Sequence, residues 1–225
     1  MPNITIVGAG PRLGLAIART FGSRGFDVAL IARDREKIER LVGTLATDGI
    51  SAAAFPADVL DRDALVQALK GAAEEFGGID VLEYSPAAAS SAGTLTSPTE
   101  TDPSHVQREM EFQFYGAIAA TKAVLPAMRE TGTGTLLYTT GAGSVVHVPK
   151  AVNVGTAAAA LRNWAINLHK ELAGTGIQAA HVALDVTIDT PTFYGQPKAP
   201  ADQISPLYWD LHATYRDKAE FVFRG

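Results

Sequence analysis

At 225 residues, with 47% hydrophobic residues and 21 glycines, the chain has the size and composition of one compact domain built on a buried sheet, which excludes a disordered or fibrous protein. Its 24 acidic and 19 basic residues leave a formal net charge of -5, so no overall positive field exists to attract nucleic acid or an anionic membrane. The lack of cysteine removes disulfides, thiolate nucleophiles and cysteine-ligated metals.

Met1-Pro2-Asn3 leads directly into a strand without the basic and apolar regions of a signal peptide, and no run reaches membrane-spanning length, so a cytoplasmic protein is expected. The apolar run Ile4-Thr5-Ile6-Val7 breaks into Gly8-Ala9-Gly10-Pro11-Arg12-Leu13-Gly14 and resumes with helical spacing at Leu15, Ile17, Ala18 and Phe21. A strand that delivers a glycine turn to a helix N-terminus presents backbone N–H groups and the helix dipole to a phosphate. Gly8, Gly10, Pro11, Arg12, Leu13 and Gly14 are therefore candidate dinucleotide-binding residues. Phe26 to Ala32 reads as a second strand ending in Arg33-Asp34. An acidic residue there binds a ribose 2′-hydroxyl, whereas an arginine accommodates a 2′-phosphate. Arg33, joined by Arg12, favours NADP(H) over NAD, with Asp34 as the contrary signal.

Asp34 can also cap a helix from about Arg35 to Thr47, whose Ile38, Leu41, Val42 and Leu45 share a face. Ala52 to Val59 contains a third strand and its exit, Asp61 caps a helix ending near Phe76-Gly77-Gly78, and Ile79 to Tyr84 is a fourth strand. This strict alternation predicts a parallel sheet with helices on both faces. Ser85 to Thr99, rich in small residues, reads as a loop bordering the ligand crevice. Pro103, capped by Asp102, opens a long helix to about Met128; Thr133 to Thr140 is a fifth strand. A helix from Asn153 or Thr156 to Leu172 and a strand over Ile177 to Leu184 follow. The prolines of Thr187 to Pro206 suggest a lid or surface excursion at about 187–206, after which Leu207 to His212 reads as a short helix and Glu220 to Phe223 as an edge strand. No linker or second domain interrupts residues 1–225.

With these residues in place, the chain resembles the short-chain dehydrogenase/reductase family, from Ile4 to about Leu211. The resemblance implies a Rossmann-like, doubly wound single domain that binds NAD(P). The family's Gly-x-x-x-Gly-x-Gly turn matches at Gly8 and Gly14, with Arg12 on the middle glycine. Asp58-Val59 matches its adenine-holding Asp-Val, Ser85-Pro86-Ala87 falls on its Asn-Ala-Gly, and Ile188-Asp189-Thr190-Pro191 resembles its cofactor-contacting stretch. The resemblance thus adds Asp58, Val59, Ser85, Pro86, Ala87, Ile188 and Thr190 to the cofactor set. The catalytic positions depart: the family's tyrosine falls on Val154, its lysine on Ala158, its serine on Gly141 and its asparagine on Gln113, and no tyrosine lies between Ser144 and Leu172.

A substitute proton donor is then required for carbonyl chemistry, because negative charge develops on the substrate oxygen as hydride adds. Gln113, Tyr115, His147 and Asp185 are the candidates, with Lys150, Tyr84 and Tyr194 nearby in the sequence order of the crevice. Gln113 and Tyr115 diverge in direction on a helix, so both cannot address one atom. No paired histidine spacing suggests a metal, and no Gly-x-Ser-x-Gly elbow suggests a serine hydrolase. The expected function is an NADP(H)-dependent oxidoreductase acting on a small to medium, largely apolar substrate with a nonstandard donor or ordered water. The alternatives are a cofactor-binding regulatory or structural protein, or a repurposed isomerase, dehydratase or cyclase. The wide apolar surfaces around Phe112 to Val124 and Ala157 to Leu168 predict a homodimer or homotetramer.

Overall fold

The computed structural model describes residues 1–86, 95–189 and 195–225. Strands β1 (Asn3–Val7), β2 (Asp27–Ala32), β3 (Ala52–Pro56), β4 (Val81–Tyr84), β5 (Gly134–Gly141), β6 (Ile177–Leu184) and β9 (Glu220–Phe223) form one sheet in the order β3-β2-β1-β4-β5-β6-β9. Every neighbouring pair is parallel. Such a sheet needs crossover helices, which cover both faces here. Helices α1 (Leu13–Gly22), α2 (Arg35–Thr47) and α7 (Ala201–Ala213) bury apolar faces on one side with Ile4, Ile6, Leu30 and Val182; α3 (Arg62–Phe76), α5 (Gly116–Thr131) and α6 (Val152–Glu171) cover the other with Val7, Leu82, Leu136 and Tyr138. The doubly wound architecture is as the alternation of elements predicts.

The long helix after the fourth strand is not uniform. It runs as α4 (Pro103–Glu109), a π-helical stretch (Met110–Tyr115) and α5. The side chain of Tyr84 explains the change, since its hydroxyl donates to Phe112 O at 2.9 Å and claims a carbonyl from the regular ladder. That phenol also occupies the space a side chain at Gly116 would need, 2.1 Å from an added Cβ.

The excursion after β6 is shorter than its prolines suggest. Thr187–Ile188 (β7) pairs with Lys198–Ala199 (β8), and α7 already begins at Ala201, so a lid running to Pro206 is corrected. Ala201, Ile204, Ser205, Tyr208 and Leu211 are buried at helical spacing against α1, and Thr20 Oγ1 donates to Ser205 Oγ at 2.8 Å. This burial outweighs the hydrogen bond lost at Pro206, whose missing N–H would otherwise serve the ladder.

Candidate functional site

The strand order reverses between β1 and β4, and in an open parallel sheet the ligand crevice lies at that point, beyond the strands' carboxyl ends. Gly8 sits there with φ +94° and donates to Ile31 O at 2.9 Å. An added Cβ would lie 2.5 Å from Pro86 N and Cα, so only glycine lets the exits of β1 and β4 close together. A Cβ at Gly14 would sit 3.1 Å from Ala9 Cα, which fixes α1 tightly under the turn. α1 has no side-chain cap, leaving its leading N–H groups at Leu13 and Gly14 to an incoming anion, while the surface over Gly10 is open. These features fit the pyrophosphate of a dinucleotide.

At the tip of β2, Asp34 caps α2 by accepting from Lys37 N at 3.1 Å, and its other oxygen lies 2.9 Å from Lys37 Nζ. The Lys37 hydrogen bonds hold its carboxyl below the usual range. Arg33 beside it is exposed and joins no ion pair among the described residues. At the exit of β3, Asp58 Oδ1 accepts from Leu60 N at 3.0 Å and Val59 is buried. Arg12 does not join Arg33: its Nη1 donates to Ile188 O at 2.9 Å, on the far side of β1 from β2. Shared service of these two arginines on one 2′-phosphate is corrected accordingly, because a carbonyl beyond β6 captures the guanidinium. Ala87 and Thr190 lie outside the described residues, as does Tyr194.

The proposed donors are dispersed. Gln113 Nε2 donates to Glu109 Oε2 at 2.9 Å and lies 3.5 Å from Val154 O, so it does reach the first turn of α6 where the tyrosine would stand. Tyr115 turns instead toward α3, with the Arg62 guanidinium 5.7 Å from its ring. His147 and Lys150 are exposed between β5 and α6. Asp185 accepts from Gln196 Nε2 at 3.0 Å and faces Arg224 at 4.0 Å, which makes it a tie between the excursion and the chain end. Tyr84 is fully buried, and burial pushes its phenol far above the ordinary range. Gln113 thus lies at α6, Tyr115 at α3, Tyr84 under the π-helical stretch and Asp185 at the chain end, as separate candidates. Ala158, which the resemblance sets at the lysine position, is 2% exposed.

Two polar chains stand at the carboxyl end of β5; of their members the sequence points to Thr140 and Ser144, the hydroxyls nearest Gly141, and to Ser85, but not to His181, Glu220, Glu83, Thr139 or Tyr208. On the α6 side, Thr140 Oγ1 lies 2.8 Å from both Ser144 Oγ and His181 Nε2, while His181 Nδ1 lies 3.1 Å from Glu220 Oε1. Arg162 also pairs with Glu220, its Nη2 at 2.8 Å from Oε2. Burial pulls the imidazole down to about 4, so it is neutral near pH 7, with Nδ1 facing the Glu220 carboxylate and Nε2 the Thr140 hydroxyl. On the α7 side, Glu83 is fully buried, accepts from Ser85 Oγ and Thr139 Oγ1, each at 2.8 Å, and burial raises its carboxyl to about 7. Tyr208 OH stands 2.8 Å from Thr139 Oγ1. The signal in the sequence was a glutamate inside an apolar strand and the adjacent pair Thr139-Thr140, whose side chains must alternate between faces.

A doubly wound sheet with a glycine turn and an uncapped helix N-terminus at its switch point is the arrangement found in dinucleotide-binding α/β proteins. Residues 2–198 match the short chain dehydrogenase family model, and the chain belongs to that family. It is 27% identical over 180 residues to an uncharacterized oxidoreductase of Staphylococcus aureus, covering 79% of this chain and 74% of the relative. An oxidoreductase of Botryotinia fuckeliana is 28% identical over 173 residues, with 77% and 61% covered. Among solved structures, L-sorbose reductase of Gluconobacter frateurii, complexed with NADPH and L-sorbose, superposes with a TM-score of 0.89 at 18% identity, covering 100% of this chain and 95% of that one. That likeness is one of fold.

Proposed function

We propose that the chain is an NADP(H)-dependent oxidoreductase that exchanges hydride with a small to medium, largely apolar substrate and uses a proton route other than a tyrosine–lysine pair on α6. The observation carrying the cofactor choice is at the tip of β2, where Asp34 is spent on α2 and Lys37 while Arg33 is free to meet a 2′-phosphate. Oxidoreductase chemistry is supported by family membership, by relatives named as oxidoreductases, and by the NADPH held in the sorbose reductase structure. When bound, the cofactor supplies or removes hydride. The chain's own residues hold it: the α1 N–H groups and Gly8 turn at the pyrophosphate, Asp58 and Val59 at the adenine, Ser85 and Pro86 beneath the nicotinamide end.

The protein is read as a cytoplasmic homo-oligomer. Ala157, Leu161 and Leu168 are buried within the chain, and Trp164 packs on Phe114 and Tyr138. The face left for a partner copy is therefore the other side of α6, at Ala159, Ala160, Asn163 and Ile166. A second reading, cofactor binding without turnover, draws support from the buried Ala158.

Titration of the protein with NADPH and NADH tests the cofactor assignment. Tighter binding of NADPH is expected, and Arg33→Ala should weaken NADPH about tenfold with little effect on NADH, since hydrogen bonds to a charged group are worth roughly 1.5–3 kcal/mol and exposure reduces this. Equal affinities in the parent would overturn the assignment.

A further inference from the structure

Glu83 occupies a strand position flanked by Leu82 and Tyr84 and lies in register with Ile6 of β1 and Leu137 of β5. A fold that needed only packing would place an aliphatic side chain there. Burying a carboxyl without a cation is costly, and perturbed carboxyls beside a ligand crevice are a recurrent sign of function. Each carboxyl oxygen meets one hydroxyl, Ser85 Oγ at Oε2 and Thr139 Oγ1 at Oε1. The titratable group facing it from α7 is Tyr208, and no lysine, arginine or histidine contributes to its environment among the described residues. One end of this hydroxyl chain is sealed beneath α7 at the fully buried Tyr208. The other, Ser85, is half-buried at the crevice: its N donates to Val7 O at 2.9 Å, and its carbonyl carbon would lie 2.7 Å from a Cβ at Gly8.

We propose that Glu83, acting through the Ser85 hydroxyl, supplies the proton taken up by the substrate oxygen during carbonyl reduction. The inference rests on the oxidoreductase reading above. The carbonyl carbon accepts hydride, with its electron pair, from the reduced nicotinamide cofactor, and the carbon–oxygen π pair moves to oxygen. That oxygen gains the Ser85 hydroxyl proton. In the protonated carboxyl the Oε2–H donates to Ser85 Oγ across the same 2.8 Å contact, the reverse of the direction held with the carboxylate, which frees the Ser85 proton for the substrate; Ser85 Oγ then regains a proton from Oε2, and the resulting carboxylate takes one back from solvent along the same route after the alcohol leaves. Ser85 is the catalytic hydroxyl, and Glu83 is the reservoir that acts through it.

The test compares the parent with Glu83→Gln, Ser85→Ala and Ser85→Thr, using NADPH and a panel of aliphatic and aromatic aldehydes and ketones. Infrared titration without cofactor is expected to show a protonated carboxyl that ionises near neutral pH, absent in Glu83→Gln and retained in Ser85→Ala. Measured at saturating NADPH, turnover should fall at least about tenfold in Glu83→Gln and Ser85→Ala and recover in Ser85→Thr, with NADPH affinity unchanged in Glu83→Gln. The parent's kcat should fall as pH rises through the ionisation seen by infrared, and this limb should vanish in Glu83→Gln. An active parent whose Glu83→Gln variant keeps both its rate and its pH profile would overturn the inference and leave the oxidoreductase reading intact. A parent that neither binds NADPH nor reduces any carbonyl would overturn both.

Discussion

Replacing Glu83 by glutamine should stabilise the protein increasingly as pH rises. The carboxyl is pushed from its ordinary 4.5 to about 7 by burial, opposed by the Ser85 and Thr139 hydrogen bonds. Below about pH 4.5 it is protonated in both the folded and the unfolded chain and favours neither. Between about 4.5 and 7 the unfolded chain releases a proton that the folded chain retains, so stability falls with rising pH; above about 7 the full penalty is present. A displacement of that size corresponds to about 3 kcal/mol. Glutamine keeps the shape, and Ser85 and Thr139 can each reorient to accept or donate, so the variant lacks this penalty without opening a cavity. Denaturant unfolding at fixed ionic strength from about pH 4 to pH 8.5 gives the comparison, with m-values checked for constancy. The variant-minus-parent difference should grow from a baseline near pH 4.5 by about 3 kcal/mol at pH 8. A difference independent of pH would show that Glu83 titrates normally and would refute the reasoning. Because the comparison is a difference, the opposite contribution of His181 cancels. Its imidazole is pulled from 6.5 to about 4, so its stabilisation is lost as pH falls through that window.

Gly8→Ala combines a positive φ with a Cβ pressed against the Pro86 backbone, and should cost at least about 2 kcal/mol together with most NADPH affinity; thermal unfolding and cofactor titration check both. Tyr84→Phe removes the donor that holds Phe112 O and should cost about 1–3 kcal/mol by denaturant unfolding, with a faster amide exchange over Met110–Tyr115 as the local signature.

Local periodicity carried most of the fold. The apolar stripes of α2 and α3, their aspartate caps and the bounds of β6 are properties of contiguous residues, and they appear where the pattern puts them. What was not legible depends on partners remote in the chain. The π-helical stretch follows from a hydroxyl on β4, the direction of Arg12 from a carbonyl beyond β6, and the early start of α7 from a face buried on α1. The glycine turn could be read because its requirement is local. The proposed proton route could not, since the Glu83 carboxyl is raised by burial, which exists only once β1, β5 and α7 enclose it.

The two polar chains at the end of β5 differ in what they can do at neutral pH. Thr139 and Thr140 are consecutive, so one hydroxyl faces the α7 side and the next the α6 side. On the α6 side the chain ends in an imidazole whose charged form is suppressed by burial and by the nearby Arg162, while Glu220 is shared with that arginine. A histidine pulled to about 4 has no second proton to give near neutrality, and both its ring nitrogens already face partners, Thr140 and Glu220. It therefore orders the turn at Gly141 and Ser144, and Gly143 and Gly155 permit α6 to approach that turn backbone to backbone, with an added Cβ only 3.0 Å from Gly155 Cα. On the α7 side the carboxyl holds a removable proton up to about pH 7 and has a hydroxyl at the crevice to pass it through. On the proposed reading, the proton for the substrate oxygen therefore comes from the strand below the crevice and not from the helix beside it.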